Sequence, residues 1–220
     1  MENYVWYACY GSNLNYDRFI CYIEGGTPKG SNKKDRGCRV NKKPPEKTDV
    51  ITIPYTLYFA RHSSKWDGSG VAFIGLAKDE KKRTLGKLYL ITEDQFVDLF
   101  VQENGEKYES MLKKDKLSVN LEDIKKQNSK VIWESPWYGN IIYLGTGRDE
   151  IPIFTTTSSR EERPYSRPNE NYLYHVITGL KKPPYYLSND EIVQYLYDKK
   201  GIQEGGYKEN DLVNIVARCN

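Results

Sequence analysis

The sequence contains very little histidine: His62 and His175 are the only two among 220 residues. This scarcity excludes a multi-histidine metal cluster and leaves a Ser/His/Asp triad poorly supported. A Gly-x-Ser-x-Gly nucleophile elbow, a Walker loop and a Gly-x-Gly-x-x-Gly fingerprint are also missing. Among the usual catalytic devices, what remains is a carboxylate that acts as a general acid and base.

Cysteine is sparse as well, and long apolar runs are missing. The four cysteines, Cys9, Cys21, Cys38 and Cys219, form no Cys-x-x-Cys pair. Neither a zinc site nor a redox motif is therefore indicated, and we expect four free thiols. No stretch approaches the length of a membrane span, and the N-terminal residues lack the pattern of a secretory signal. These features predict a cytoplasmic protein with no membrane partner.

Charge of one sign is not in large excess. The 33 lysines and arginines against 30 aspartates and glutamates give a net charge of +3, which is too slight to suggest a nucleic-acid partner. With 220 residues, no visible repeat and no clear linker, the chain is expected to form a single domain over 1–220. A polar, lysine-rich segment at about 106–135 is interpreted as an insertion in it. A short helix is expected there around 121–124, and the main aliphatic anchors are Leu112, Leu117, Leu121 and Ile124. The oligomeric state stays open.

Periodicity and turn residues predict a series of short strands and helices. Strands are expected near 4–7, 55–60, 71–77, 85–91, 140–145 and 151–156. Helices are expected after Asn13 or Asn15, from Thr92 to about 104, from Tyr172 to Gly179, and after Ser188. Residues 24–50 are interpreted as a long surface loop with one short strand near 37–40.

The turn that links the first strand to the first helix is the part of the sequence with the clearest functional character. Gly11 permits a sharp turn because it carries no side chain. The backbone N–H groups at the start of the following helix favour a carboxylate or a phosphate. Taken alone, a Gly-Ser-Asn turn is more often an ordinary connection between a strand and a helix.

The whole string is more specific than the turn. Tyr10-Gly11-Ser12-Asn13-Leu14, close to the N-terminus, resembles the YGSN signature of the γ-glutamylcyclotransferase-like family. Residues 66–72 are similar to the strand entry that this family has upstream of its catalytic helix. Residues 137–157 are similar to its closing strands and 171–198 to its C-terminal helix pair. The resemblance covers roughly residues 4–198, although YGSN is its one sharp motif.

The resemblance implies an α+β fold, a small mixed β-barrel or curled sheet flanked by helices. It also implies that Glu103 is the catalytic acid and base, at the end of the helix that follows a central strand. The family pattern is similar to Leu-Asp-x-x-Glu-Gly. Here Leu99 and Glu103 keep that spacing, whereas Phe100 replaces the Asp and the Gly is displaced by one position. The implied substrate-binding residues are Tyr10, Gly11, Ser12, Asn13, Leu14 and Tyr138.

The activity implied by the resemblance is cyclisation of a γ-glutamyl amine or γ-glutamyl amino acid to 5-oxoproline with release of the free amine. It requires a small-molecule substrate and no metal or organic cofactor. A second hypothesis is a non-catalytic binding or interaction module with the same fold and pocket. The sequence does not identify the leaving group. The segment at 106–135 is expected either to shape leaving-group selectivity from the mouth of the barrel or to be a solvated insertion with no role.

Overall fold

The computed structural model describes residues 3–105, 108, 110, 119–134 and 137–219. Eight strands, β1 to β8, occur within these residues: Tyr4–Cys9, Thr48–Ile53, Leu57–Ser63, Ser69–Ile74, Thr84–Thr92, Ser129–Val131, Asn140–Thr146 and Pro152–Thr157. Six α-helices, α1 to α6, occur there too: Tyr16–Glu24, Glu93–Asn104, Leu121–Gln127, Glu170–Lys181, Asn189–Tyr197 and Glu209–Arg218. The predicted α+β class is confirmed.

The main sheet is mixed and has six strands in the order β2-β5-β1-β8-β7-β6. β1 pairs in parallel with β8, and the other neighbours in this sheet are antiparallel. Strands β3 and β4 form a separate antiparallel pair. The curled-sheet form of the prediction therefore holds, and the barrel form is wrong, because no closed barrel forms among the described strands. Edge strands β2 and β6 lie at opposite sides of the sheet.

The central position of β1 explains its sequence. The strand lies between β5 and β8 and is buried from Val5 to Cys9, so both faces require apolar or aromatic side chains. Residues 10–14 follow directly after its carboxyl end, so they lie at the end of an inner strand of the sheet. The predicted functional turn is consequently anchored to a buried inner strand of the main sheet.

Two predictions about the segment before β3 are wrong. No strand forms near 37–40, and the end of the expected loop belongs to β2, Thr48–Ile53. β2 is an edge strand whose side chains alternate between exposed and partly buried positions, the pattern of a half-buried strand. The loop before it is held by side chains instead. The buried Asp98 carboxylate accepts hydrogen bonds from the Arg39 backbone N–H at 2.6 Å and from Arg36 at 3.0 Å, which ties the loop to α2.

Most of the predicted helix boundaries are confirmed. Thr92 begins α2 with a capping box completed by Gln95, and Ser188 begins α5 in the same way. α4 is longer than the predicted Tyr172–Gly179 at both ends, since it begins at Glu170 and continues to Lys181. α6 was not predicted. In the described part of the chain, no helix combines the length and the apolar character needed to cross a membrane.

The segment at 106–135 lies partly outside the described residues, and its predicted apolar anchors Leu112 and Leu117 are among those not described. The short helix expected around 121–124 is present as α3, with Asn120 as its N-cap. Leu121 and Ile124 are buried. That this segment is an insertion in a single domain stays a prediction.

Candidate active site

The turn after β1 is a short 3-10 helix, Ser12–Leu14, and α1 follows it. The sequence offered Asn13 or Asn15 as the cap of α1. The structure selects Asn15, whose side-chain oxygen accepts a hydrogen bond of 3.0 Å from the Asp17 backbone N–H. The Asn13 side chain is thereby left to face the site.

Gly11 is required because of its close neighbours. Its φ of −114° lies outside the left-handed region that favours glycine. A Cβ at this position would lie 2.7 Å from the Tyr172 hydroxyl oxygen and 3.0 Å from the Ala72 Cβ. The absent side chain allows the turn to approach these two neighbours closely.

Glu103 lies in the last turn of α2, and its carboxylate contacts the functional turn directly. The Asn13 side-chain amide donates hydrogen bonds of 3.1 Å to Glu103 Oε1 and of 3.1 Å to the Tyr7 hydroxyl. Thr156, from β8, donates from its hydroxyl to Glu103 Oε2 at 3.1 Å. Asn13 Oδ1 is buried and has no hydrogen-bond partner among the described residues. The turn, the helix and the sheet thus converge on one carboxyl group.

The surroundings of Glu103 favour its protonated form. Burial raises the pKa of this carboxyl from 4.5 to about 7, although the positive charge of Arg18 and the hydrogen bonds from Thr156 and Asn13 oppose the rise. A group with a pKa near neutrality exchanges a proton readily in either direction. Glu103 therefore has the properties of a general acid and base.

Three tyrosines surround the carboxyl group. Tyr10 donates from its hydroxyl to the Thr156 carbonyl at 2.7 Å, which fixes its side chain on β8. Tyr138 donates to the Ala72 carbonyl at 3.0 Å, and the Ala72 N–H donates to the Tyr172 hydroxyl at 3.0 Å. Burial raises the pKa of all three phenols, so that they remain protonated hydrogen-bond donors at neutral pH.

These residues line two adjoining spaces. A cleft of about 610 Å³ has Ser12, Glu103, Tyr138 and Tyr172 among its walls. The same four residues also line a small cavity of about 30 Å³ at the turn. The cleft is within the range of sizes that bind small molecules, and the cavity continues it down to the turn.

The structure brings most of the predicted site residues together. Tyr10, Gly11, Ser12, Asn13, Tyr138 and Glu103 all line the small cavity. Leu14 lines neither space and is fully buried; it contacts α4 instead. The roles given to these residues stay predictions.

The sequence interpretation missed three residues that contact or face the carboxyl group. Tyr7 and Tyr172 line the small cavity, and Thr156 hydrogen-bonds to Glu103. Tyr7 and Thr156 lie in strands that were predicted correctly, but no local pattern separates a side chain that faces a site from one that faces the core. Only the pairing of β1 with β8 places them beside Glu103.

The two histidines take no part in this arrangement. His175 is buried in α4, where Nε2 lies 2.8 Å from the Lys29 carbonyl oxygen and Nδ1 lies 3.1 Å from the Asn15 amide. Burial lowers its pKa to about 4, so it is neutral and links α4 to the start of α1. His62 lies in β3. Within the described ranges, no three His, Cys, Asp or Glu side chains are grouped to hold a metal ion, and all four cysteines are free, as predicted.

Replacing Gly11 by valine is expected to weaken binding of a glutamate-like ligand much more than replacing Ser12 by alanine. The valine side chain would displace Tyr172 and Ala72 from the turn. The alanine removes at most one hydroxyl, worth about 0.5–1.5 kcal/mol. Isothermal titration of each variant with glutamate measures the difference. Small and equal losses of affinity would show that the turn is merely a structural connection.

Sequence comparison with known proteins finds similarity to one long protein but no matching family. No protein-family model matches the chain. The chain is 38% identical over 205 residues to a protein named histone deacetylase 5 from Arabidopsis thaliana, an alignment that covers 87% of this chain. The chain spans 30% of the length of that protein. The deacetylase activity in the name refers to that protein.

The overall structure is similar to several solved structures at low sequence identity. A γ-glutamyl cyclotransferase superposes with a TM-score of 0.49 and 14% identity, covering 98% of this chain and 99% of that one. An uncharacterized protein from Homo sapiens gives the same TM-score and identity, with 99% and 100% coverage. YkqA from Bacillus subtilis gives a TM-score of 0.41 and 15% identity, with 91% of this chain and 57% of that chain covered.

Proposed function

We propose that this chain is a γ-glutamylcyclotransferase-like enzyme that converts a γ-glutamyl amine or γ-glutamyl amino acid to 5-oxoproline and the free amine. One observation carries the proposal. A carboxyl group with a pKa raised to about 7 is hydrogen-bonded to Asn13 of the turn that resembles the YGSN signature, at the junction of a cleft and a small cavity.

In the proposed reaction the nucleophile and the electrophile belong to the same molecule. The α-nitrogen of the γ-glutamyl group attacks its γ-carbonyl carbon, a C–N bond forms, and the five-membered ring closes. The bond from that carbon to the leaving nitrogen then breaks. Because the attack is intramolecular, holding the chain folded supplies most of the entropic advantage of catalysis. A small cavity beside a larger cleft suits such a folded substrate.

Glu103 moves the protons in this scheme. The α-ammonium carries three protons and the product lactam nitrogen carries one, so two must leave the nucleophile. The Glu103 carboxylate accepts them in turn and returns them to the departing nitrogen, which leaves as an ammonium. A group whose pKa lies near 7 can do both at neutral pH with little cost in either direction.

The turn and Asn13 are assigned to substrate binding. Backbone N–H groups at the start of the 3-10 helix favour the α-carboxylate, except that of Leu14, which donates to the Gly11 carbonyl oxygen at 3.0 Å. Asn13 Oδ1, a buried acceptor without a partner among the described residues, suits an N–H of the α-amine. Since the amide of the same side chain bonds to Glu103, the amine would be held next to its base.

Release of 5-oxoproline from a panel of γ-glutamyl compounds tests the proposal. We expect product from at least one compound, without added metal or cofactor. If none of the panel reacts while glutamate-like ligands still bind, the chain is the non-catalytic binding module that the sequence left open. That second outcome contradicts the proposed reaction and leaves the site itself intact.

The pH dependence of the reaction gives a further test. We expect kcat/KM to rise about tenfold per pH unit below pH 7 and to level off above it, because Glu103 must be ionised to accept a proton and its pKa is about 7. Initial rates between about pH 5.5 and 8 measure the profile. A rate that is flat across this range would show that Glu103 is not the base.

A further inference from the structure

A second cluster of charged side chains lies in the cleft, outside the machinery assigned above. Arg18 of α1 forms an ion pair with Asp35 at 2.9 Å, and Lys65 forms one with the other oxygen of Asp35 at 2.5 Å. The Arg18 guanidinium and the Lys65 ammonium also face the Tyr22 ring, at 4.0 and 4.9 Å from its centroid. Two cations therefore share one carboxylate and one aromatic ring.

The cluster is buried, and its two cations outnumber its one carboxylate; Glu103 nearby offsets this excess only while it is ionised. The side chains of Arg18 and Asp35 are 2% and 9% exposed, and that of Lys65 is 18% exposed. Arg18 Nε is buried without a hydrogen-bond partner in the described part of the chain. Burial, followed by repulsion from Arg18, lowers the pKa of Lys65 to about 8. A buried excess charge is costly, and an incoming anion would relieve that cost.

The whole cleft has the same imbalance. Apart from Arg36, which is paired with Asp98, the charged walls among the described residues are Arg18, Lys33, Lys34 and Lys65 against Asp35 and Glu103. This excess of cations contrasts with the near balance of the complete chain, 33 basic against 30 acidic residues. Arg18, Asp35 and Lys65 line the cleft but not the small cavity at the turn. They therefore lie where the part of the substrate beyond the γ-glutamyl group would extend.

We propose that the cluster of Arg18, Asp35 and Lys65 binds an acidic group on the leaving component of the substrate. Resting on the proposed function, this inference narrows the substrates to γ-glutamyl compounds whose amine component carries a carboxylate. The Lys65 ammonium contacts the carboxylate of the leaving component from the exposed side of the cluster. Arg18 contributes its positive charge from the buried side and is ion-paired with Asp35, which orients the Lys65 ammonium. Neutral γ-glutamyl amines leave the excess charge uncompensated.

Two substrates that differ only in charge test this inference. In γ-glutamylglycine the leaving component ends in a carboxylate, and in γ-glutamylglycinamide it ends in a neutral amide. We expect the wild-type chain to favour the acid by about tenfold or more in kcat/KM, because charge-assisted hydrogen bonds discriminate at that level. Lys65→Met should reduce the preference to about twofold or less, and Lys65→Arg should restore it.

The informative quantity is the ratio of kcat/KM for γ-glutamylglycine to kcat/KM for γ-glutamylglycinamide. Lys65 also lowers the pKa of Glu103, so Lys65→Met alters proton transfer, but it does so for both substrates alike. Lys33→Met is the matched control, since Lys33 lies in the same wall but is exposed to solvent, and it should leave the ratio nearly unchanged. A wild-type ratio near one, or equal ratios in Lys65→Met and Lys33→Met, would overturn the inference.

Calorimetric binding of both compounds to the Glu103→Gln variant separates this inference from the proposed reaction. Tighter binding of the acid that depends on Lys65 supports the anion site even if the wild-type chain releases no 5-oxoproline. Turnover of both compounds without a charge preference supports the reaction and contradicts the anion site. Equal binding of the two compounds likewise contradicts the anion site.

Discussion

Replacing Glu103 by glutamine is expected to lower kcat by about 10²–10⁴-fold, the usual contribution of a general acid and base. The amide can keep both neighbours: its oxygen accepts from Asn13, and its NH₂ donates to the Thr156 hydroxyl, which can accept as well as donate. Substrate affinity and the fold should therefore change little. 5-Oxoproline release and calorimetric binding measure the two effects separately.

The same substitution is expected to raise the free energy of unfolding above pH 7. The pKa of Glu103 in the folded protein is about 7, against an ordinary value of 4.5, so the folded protein holds this proton more tightly than the unfolded chain does. The resulting stabilisation is fully present below pH 4.5 and is lost as the pH rises through 7. At about 1.4 kcal/mol per unit, the loss is at most about 3.5 kcal/mol. Glutamine does not titrate and avoids it.

Urea unfolding of the wild-type chain and of Glu103→Gln, at pH values on both sides of 7, measures this gain. Asp94→Asn is the control, since it removes an exposed carboxylate from the same helix; it should not reproduce the gain expected for Glu103→Gln. If Glu103→Gln keeps full activity, Glu103 is not the base. If its stability relative to the wild-type chain does not rise with pH, the carboxyl group is not destabilised as described.

Replacing Gly179 by alanine is expected to destabilise the fold by about 1–3 kcal/mol, the usual cost of overpacking. In an ordinary helix the change would stabilise by up to about 1 kcal/mol. Here the added Cβ would lie 2.4 Å from the Leu14 carbonyl carbon, so α4 and the 3-10 helix at Ser12–Leu14 would have to separate. The steric cost outweighs the gain in helix propensity, and the sign of the effect is reversed.

In the Gly179→Ala variant, ligand affinity is expected to fall together with the stability of the fold. Moving Leu14 moves Asn13, so glutamate affinity is expected to fall as well. Gly75→Ala is the matched control, because the nearest atom to a Cβ there is 3.9 Å away. Urea unfolding and calorimetry should show a loss for Gly179→Ala and little change for Gly75→Ala. A Gly179→Ala chain as stable as the wild type would mean that α4 can retreat from the turn without cost.

The sequence predicted what depends on near neighbours. The capping boxes at Thr92 and Ser188, the central strands and the position of Glu103 in the last turn of α2 were all readable from residues a few positions apart. Contacts between distant segments were not readable. Gly179 looked like a helix terminator, yet it lies inside α4 because Leu14, far away in the chain, packs against it.

The contacts of Glu103 were likewise not predictable from the sequence, because they join distant segments. Thr156 is 53 residues away from it in sequence, and Asn13 is 90 residues away. No pattern within one segment predicts that these side chains meet. The raised pKa of the carboxyl group depends on burial by the assembled sheet and helices, so it became visible only in the folded structure.

The two walls of the cleft differ in how freely they can change. The base and the turn are fixed to β1, β8 and α2, where a shift in one displaces the others. Another part of the wall includes residues 33–36 and the 3-10 helix Ser64–Trp66. The Asn32 side-chain amide ties these two segments together by donating to the Ser64 carbonyl oxygen at 2.8 Å. This wall is built from surface connections outside the main sheet. Grafting a different loop pair there is therefore the economical route to a new leaving-group preference, with the proton-transfer residues inherited unchanged.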